Sequence, residues 1–222
     1  MEKWADGIYL LGNYAPDSGC WLLVQNGEAA ILELPGKNNC AVSPADAAAN
    51  ACGSLRCKIT RLLCSHCHPD HINPATTADF LARFPESIMT LQSGFRHAVD
   101  ALPVDARRVN YFESADLIHI GGEPIFLVHA PKHSSTDTFV IFKGAAFTGD
   151  WELGTIRSVH DGKPGSVPRD TRLESIARIE RFQENHDYAI HMIFSVHAND
   201  RRYGIDFKRI IAETRRDIDC LR

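Results

Sequence analysis

Apolar residues fall along this chain in short blocks whose period switches between that of strands and that of helices. Residues 8–11, 21–25 and 30–34 are apolar, β-prone runs separated by turn residues such as Asn26-Gly27, and they read as strands. Ser43-Pro44 supplies an N-cap and a first-turn proline, which predicts a helix through the alanine-rich stretch to about Ala51. Residues 59–64 read as a buried strand running into Ser65-His66. Asn73-Pro74 repeats the cap-plus-proline signal and opens a helix to about Phe84. A strand at 88–91, a helix at 94–102 and a strand at 109–112 follow. Residues 117–120 and 124–129 form a predicted hairpin about Gly121-Gly122, and 138–142 with 145–148 a second, turning at Lys143-Gly144.

Beyond that point the pattern loosens. Residues 151–170 mix glycine, proline and charge with no sustained period and read as a long loop. Residues 171–183 put Leu173, Ile176, Ile179 and Phe182 on one face of an amphipathic helix. A strand at 188–196 and a helix from Ile205 to about Leu221 complete the set. No repeat, low-complexity stretch or linker interrupts it, so a single α/β domain over 1–222 is the simplest expectation.

Composition narrows this picture without changing it. The 222 residues are 44% hydrophobic and 23% charged, as in an ordinary folded protein. A net charge of −4 with interspersed signs predicts no broad basic face, so nucleic acid is not an expected partner. No run approaches the roughly 18 apolar residues that a membrane helix needs, and Met1 to Asp6 carry no signal-like segment. A cytoplasmic protein, not associated with a membrane, is expected. Cys20, Cys40, Cys52, Cys57, Cys64, Cys67 and Cys220 are an odd, scattered set. They read as reduced thiols rather than a disulfide framework.

The histidines carry the chemistry. Ser65-His66-Cys67-His68-Pro69-Asp70-His71 places four metal-competent side chains within six residues, between an apolar strand and a capped helix. His133, Asp150 and His197 each follow an apolar strand as well. Several strand ends that each deliver one ligand make a site at one sheet edge, where α/β folds present their ligands. Any one of these downstream residues alone would read as structural; the ordered set is what carries weight. Seven ligands exceed one four-coordinate ion and suit two ions sharing a carboxylate and a water. Such a pair acidifies the water into a hydroxide nucleophile and stabilises the developing oxyanion.

The run His66-x-His68-x-Asp70-His71, followed in order by His133, Asp150 and His197, resembles the metallo-β-lactamase superfamily. Val128-His129-Ala130-Pro131-Lys132-His133 resembles its third-histidine segment, and Phe147-Thr148-Gly149-Asp150 its bridging-aspartate segment. Glu33-Leu34-Pro35-Gly36 stands where the family has an early Asp-x-Gly turn. The resemblance spans residues 8 to 200 and implies a four-layer αβ/βα sandwich with the metals at one edge. It implies His66, His68 and His133 on the first ion, Asp70, His71 and His197 on the second, and Asp150 bridging. Asp70 would also orient the attacking water or accept its proton, making it the catalytic residue. Two divalent ions are implied, zinc first, with iron or manganese as alternatives.

The chain departs from the pattern at Lys132, at Ser195-Val196 in place of Pro-Gly, and at Glu33 in place of aspartate. The bridging Asp150 resembles the hydroxyacylglutathione hydrolases, acyl-homoserine lactonases and phosphodiesterases more than true β-lactamases. Only about twenty-five residues follow His197, room for one helix rather than an accessory helical domain. Hydrolysis of a lactone, thioester or carboxylic ester in a small molecule is therefore expected, with a homodimer as the expected assembly. Two alternatives stand beside it. One is phosphodiester hydrolysis, marked by Lys132, Arg157 or Lys163 near the site. The other is mononuclear iron chemistry, as in the superfamily's persulfide dioxygenases.

Two further expectations concern single residues. His129 is expected to support the site or the fold, and His97, His119, His160, His186 and His191 to be ordinary. The 151–170 loop could reach substrate through Trp151, Arg157, His160 or Lys163, or be plain solvated chain.

Overall fold

The computed structural model describes residues 1–14, 18–102 and 104–219. Cys220 and Leu221 lie outside them. The chain builds two sheets. The first contains β1 (Glu2–Ala5), β2 (Ile8–Asn13), β3 (Gly19–Gln25), β4 (Glu28–Leu32), β5 (Lys58–Leu63), β6 (Ile88–Gln92) and β7 (Val109–Phe112), side by side in that order. It is antiparallel up to β4 and parallel from β4 to β7. Helices α1 (Pro44–Leu55) and α2 (Pro74–Arg83) are the crossovers that parallel pairing demands.

The second sheet runs in the order β13 (Arg201–Tyr203), β12 (Met192–Phe194), β11 (Ala145–Phe147), β10 (Thr138–Phe142), β9 (Glu123–His129) and β8 (Ala115–Ile120). It is antiparallel except between β11 and β12, which α4 (Arg169–Asn185) connects. Helix α5 (Phe207–Asp219) follows β13.

Alternation along the strands sorts the apolar side chains into three layers of core. On β3, Trp21 and Leu23 face the second sheet, where they meet Val140, Phe142, Phe147 and Phe194. Cys20 and Leu22 point the other way, to Ala45, Ala48 and Phe80 of α1 and α2. The second sheet repeats the division: Phe139 and Ile141 pack on Ile176 and Ile179 of α4 and Ile211 of α5. Both faces of each sheet are covered, so the strands read as unbroken apolar runs. The result is the expected α/β/β/α sandwich. The helix starts are set by local chemistry. Ser43 Oγ accepts the Asp46 amide at 3.1 Å, and Asn73 Oδ1 accepts those of Ala75 and Thr76 at 3.1 and 3.2 Å.

Two expectations fail. The strand at 188–196 shrinks to Met192–Phe194, because the Gly144 carbonyl accepts both the His191 and Met192 amides and ends the ladder there. Its outer partner β13 is polar and exposed, so no apolar pattern marks it. The helix at 94–102 is a 3₁₀ turn, Ser93–Phe95, followed by the single turn α3 (Arg96–Val99). Among the described residues no helix is long and apolar enough to cross a membrane.

Candidate metal centre

All seven predicted ligands meet at one edge of the sandwich. His66, His68, Asp70 and His71 occupy the loop between β5 and α2; His133 lies between β9 and β10; Asp150 and His197 follow the parallel neighbours β11 and β12. Backbone bonds tie the two sheets together here. The amide of Thr138 donates to the Ser65 carbonyl and that of Gly19 to the Val196 carbonyl, each at 2.7 Å. The Cys67 amide donates to Thr136 Oγ1 at 3.0 Å. Gly149 allows the closest approach: its φ is +61°, and a Cβ there would stand 3.2 Å from Ser65 Cβ.

The donor atoms form two groups, His66 with His68, His133 and Asp150, and Asp70 with His71 and His197. In the first, His68 Nδ1 lies 3.1 Å from both His66 Nε2 and His133 Nε2. Asp150 Oδ2 is 3.6 Å from His66 Nε2 and 3.2 Å from His133 Nε2. In the second, His71 Nε2 lies 3.2 Å from Asp70 Oδ2, and Asp150 Oδ1 lies 2.9 Å from His197 Nε2 and 3.6 Å from His71 Nε2. Donors about 2.0–2.1 Å from a tetrahedral ion stand roughly 3.3 Å apart, so both spacings fit a single ion per group. Two of these buried atoms, His71 Nε2 and Asp150 Oδ1, make no hydrogen bond. Buried polar atoms are rarely left so, and a cation held by the second group would satisfy both.

Electrostatics agrees. Burial, reinforced by neighbouring imidazoles, holds His66 well below the usual histidine range and His133 at about 4, which keeps both neutral as ligands must be. Burial opposes ionisation of Asp70, but the His71 imidazole 3.2 Å away outweighs it and holds the carboxyl at about 2. Burial likewise opposes charge on His71, yet Glu33, Asp70 and Asp150 outweigh it and raise His71 to about 10. So much anionic character around one buried imidazole attracts a cation, proton or metal alike.

Four side chains outside the predicted ligand set complete the site. Glu33, fully buried at φ +70°, receives the Ser65 amide on Oε1 at 3.0 Å and lies 3.1 Å from His71 Nδ1 through Oε2. Ser65 Oγ stands 3.1 Å from His66 Nδ1. Asp137 Oδ2 accepts the amides of Lys132, His133 and Ser134 at 2.9, 2.6 and 3.0 Å and so shapes the His133 turn. A buried carboxylate beside a strand end was legible for Glu33 as a departure from the family pattern; Ser65 and Asp137 carry no sequence signal. The fourth is His160, read from the sequence as an ordinary histidine and also as one of four residues by which the 151–170 loop could reach substrate. Its ring packs against His133 with centroids 4.5 Å apart, and lies 5.9 Å from that of His68.

A cavity of about 280 Å³ opens beside the centre, lined by His133, Asp150 and His197 with Trp151, Arg157 and Ser158 of the following loop. Lys132, one of the three basic residues expected to mark phosphate chemistry, is 1% exposed and donates Nζ to the Glu152 carbonyl. Lys163 is exposed and does not line the cavity. His129 is structural: its Nε2 lies 2.8 Å from the Ser135 carbonyl, beside Arg178.

The sequence matches no family profile and no curated protein. Solved structures do match. The DIM-1 metallo-beta-lactamase superposes with a TM-score of 0.67 at 13% identity, over 100% of this chain and 97% of the other. A metallo-beta-lactamase from Pontibacter korlensis gives 0.62 at 11% identity, over 91% and 87%. ETHE1 from Myxococcus xanthus gives 0.58 at 17% identity, over 89% and 76%. At such identities a likeness speaks for architecture, and the fold of this chain is that of the metallo-β-lactamase superfamily.

Proposed function

We propose that this protein is a metal-dependent hydrolase that cleaves a small ester-like bond in a lactone, thioester or carboxylic ester. In this reading His66, His68 and His133 hold one divalent ion, Asp70, His71 and His197 a second, and Asp150 is shared. The observation that carries it is the orientation of Asp150. One carboxylate oxygen faces His133 and His66, and the other faces His197 and His71. Divalent ions in such a setting acidify water and polarise the substrate carbonyl. The chain's own part is to aim and to move protons. Asp70, held ionised beside His71 and within 3.4 Å of the Ser18 hydroxyl, orients the water or takes its proton. Arg157 and Trp151 flank the space left for substrate.

Metal content and substrate choice test the reading together. Elemental analysis of protein purified without added metal is expected to return about two zinc, or zinc with iron, per chain. The loaded protein is expected to hydrolyse a chromogenic lactone faster than a chromogenic phosphodiester. The reverse order would move the assignment to phosphodiester hydrolysis. One iron per chain, with oxygen uptake on a persulfide, would move it to the oxygenase alternative.

A further inference from the structure

The segment after Asp150 has no helix or strand until α4, yet it is tied down from Trp151 to Asp161. Trp151 Nε1 donates to the Ala130 carbonyl at 2.6 Å, and Lys132 Nζ to the Glu152 carbonyl. The Gly154 amide donates to Thr214 Oγ1 at 2.9 Å. Thr155 Oγ1 and the Ile156 amide donate to Asp217 Oδ2 at 2.7 and 3.1 Å. From α4, Arg172 Nη1 donates to the Ile156 carbonyl at 2.9 Å while Nη2 pairs with Asp161 Oδ1. Arg172 is only 5% exposed, and its Nε has no partner.

Burying a guanidinium with an unsatisfied N–H is costly, and so is ordering a stretch of chain without secondary structure. What the two costs achieve is visible at the metal centre. They hold Arg157 and Ser158 on the cavity wall and the His160 ring against His133. His160 makes no ring-nitrogen bond to the ligands, unlike His66, His68 and His133, whose nitrogens converge. Its ring lies over His133 and 5.9 Å from that of His68, at the rim of the first ligand set and next in the chain to Ser158 and Val159 of the cavity wall.

We propose that His160 contacts the substrate, donating a ring N–H to its carboxyl oxygens, and that Arg172 is a positioning residue that holds His160 there through Ile156 and Asp161. The substrate contact rests on the hydrolase reading; the positioning does not.

The probe is acetate, the carboxylate left when an acetyl ester is cleaved, titrated into cobalt(II)-loaded protein and followed by visible absorption. His160→Ala is expected to keep the wild-type metal content and lose about tenfold in acetate affinity, the worth of one hydrogen bond to a charged group. His160→Gln, which keeps a donor, is expected to recover part of that loss. Asp161→Asn and Arg172→Lys are expected to keep the metal, speed amide hydrogen exchange over 154–161, and weaken acetate by a smaller factor. Asp161 is half-exposed, so its variant tests the clamp even where a change at buried Arg172 impairs folding. Loss of metal in His160→Ala would make the ring a ligand and overturn the proposal. So would equal acetate affinity in wild type and His160→Ala, no acetate binding by the wild type, or unchanged exchange in both clamp variants. Turnover of 4-nitrophenyl acetate by the wild type is read separately, and its absence counts against the hydrolase reading alone.

Discussion

Glu33 and His71 form a buried pair in which one carboxylate fixes both the ring of a proposed ligand and the loop that carries it. Oε2 stands 3.1 Å from His71 Nδ1, and Oε1 takes the Ser65 amide at 3.0 Å. With Nδ1–H donated to Glu33, Nε2 is left free to face the metal centre. Glu33→Gln reverses this. The amide oxygen satisfies Ser65, so the amide nitrogen meets Nδ1 and drives the proton to Nε2, where it blocks ligation. The variant is expected to fold and to bind the second ion about 10–100-fold more weakly. Competition against a chelator of known affinity measures it. An unchanged affinity would show that the pair does not set the His71 tautomer.

Asp150 makes a different prediction, about stoichiometry. Its two oxygens face different ligand groups, 3.2 Å from His133 Nε2 and 2.9 Å from His197 Nε2. Asp150→Asn keeps one oxygen and turns the other into a donor that repels a cation. The first group still has three histidines, whereas the second falls to Asp70, His71 and His197 without a bridge. Elemental analysis is expected to find one ion per chain in the variant and two in the parent. Two ions retained after dialysis would contradict the bridging role.

Stripped of metal, the protein is expected to be most stable near neutral pH, because His71 and His133 pull in opposite directions. An unfolded imidazole titrates near ~6.5. His71 is raised to about 10 in the fold, so its contribution is complete below about 6.5 and lost as pH climbs through the raised value. His133 is lowered to about 4, so its contribution is complete above about 6.5 and lost as pH falls through the lowered value. Melting temperatures in EDTA should therefore decline on both sides of about pH 6.5 to 7. With metal bound, His71 carries no proton at Nε2, and the alkaline decline should vanish. A flat alkaline limb in EDTA would contradict the Glu33–His71 pairing.

What could be read from the chain follows from how local each signal is. The α2 start is written in Asn73 and Pro74, and the structure satisfies it with Asn73's own side chain. The ligand loop is equally local, four side chains in one strand-to-helix turn, and the apolar strand before each remaining ligand marks where it emerges. β13 was illegible because its three residues are exposed and polar, and only pairing with β12 makes them a strand. Glu33 could be noticed as an oddity in its motif, but its partner lies 38 residues away. His160 sits in a stretch without periodicity, and its place is decided by Arg172 and Asp217 from two later helices. Local chemistry is visible in sequence; a loop positioned by distant anchors is not.

The core between the sheets supplies the last prediction. Trp21, fully buried on β3, lies edge-on to Trp4 and Phe147 with ring centroids 4.5 and 5.1 Å away, and parallel to Phe194 at 6.3 Å. Its Nε1 has no hydrogen-bond partner, so its contribution is packing and aromatic contact alone. Trp21→Ala is expected to cost about 3–5 kcal/mol in urea denaturation, from lost burial and the cavity left behind. Trp21→Phe should cost markedly less, since it keeps an aromatic contact and removes a buried donor without a partner. The effect should also reach the metals. β3 begins at Gly19, whose amide donates to the Val196 carbonyl beside His197. Loosening Trp21 therefore loosens the strand that braces one ligand of the second group, and Trp21→Ala should give up that ion to a chelator sooner than Trp21→Phe. Equal stability losses in the two variants would mean that a phenyl ring recovers none of the packing and aromatic contact that Trp21 makes.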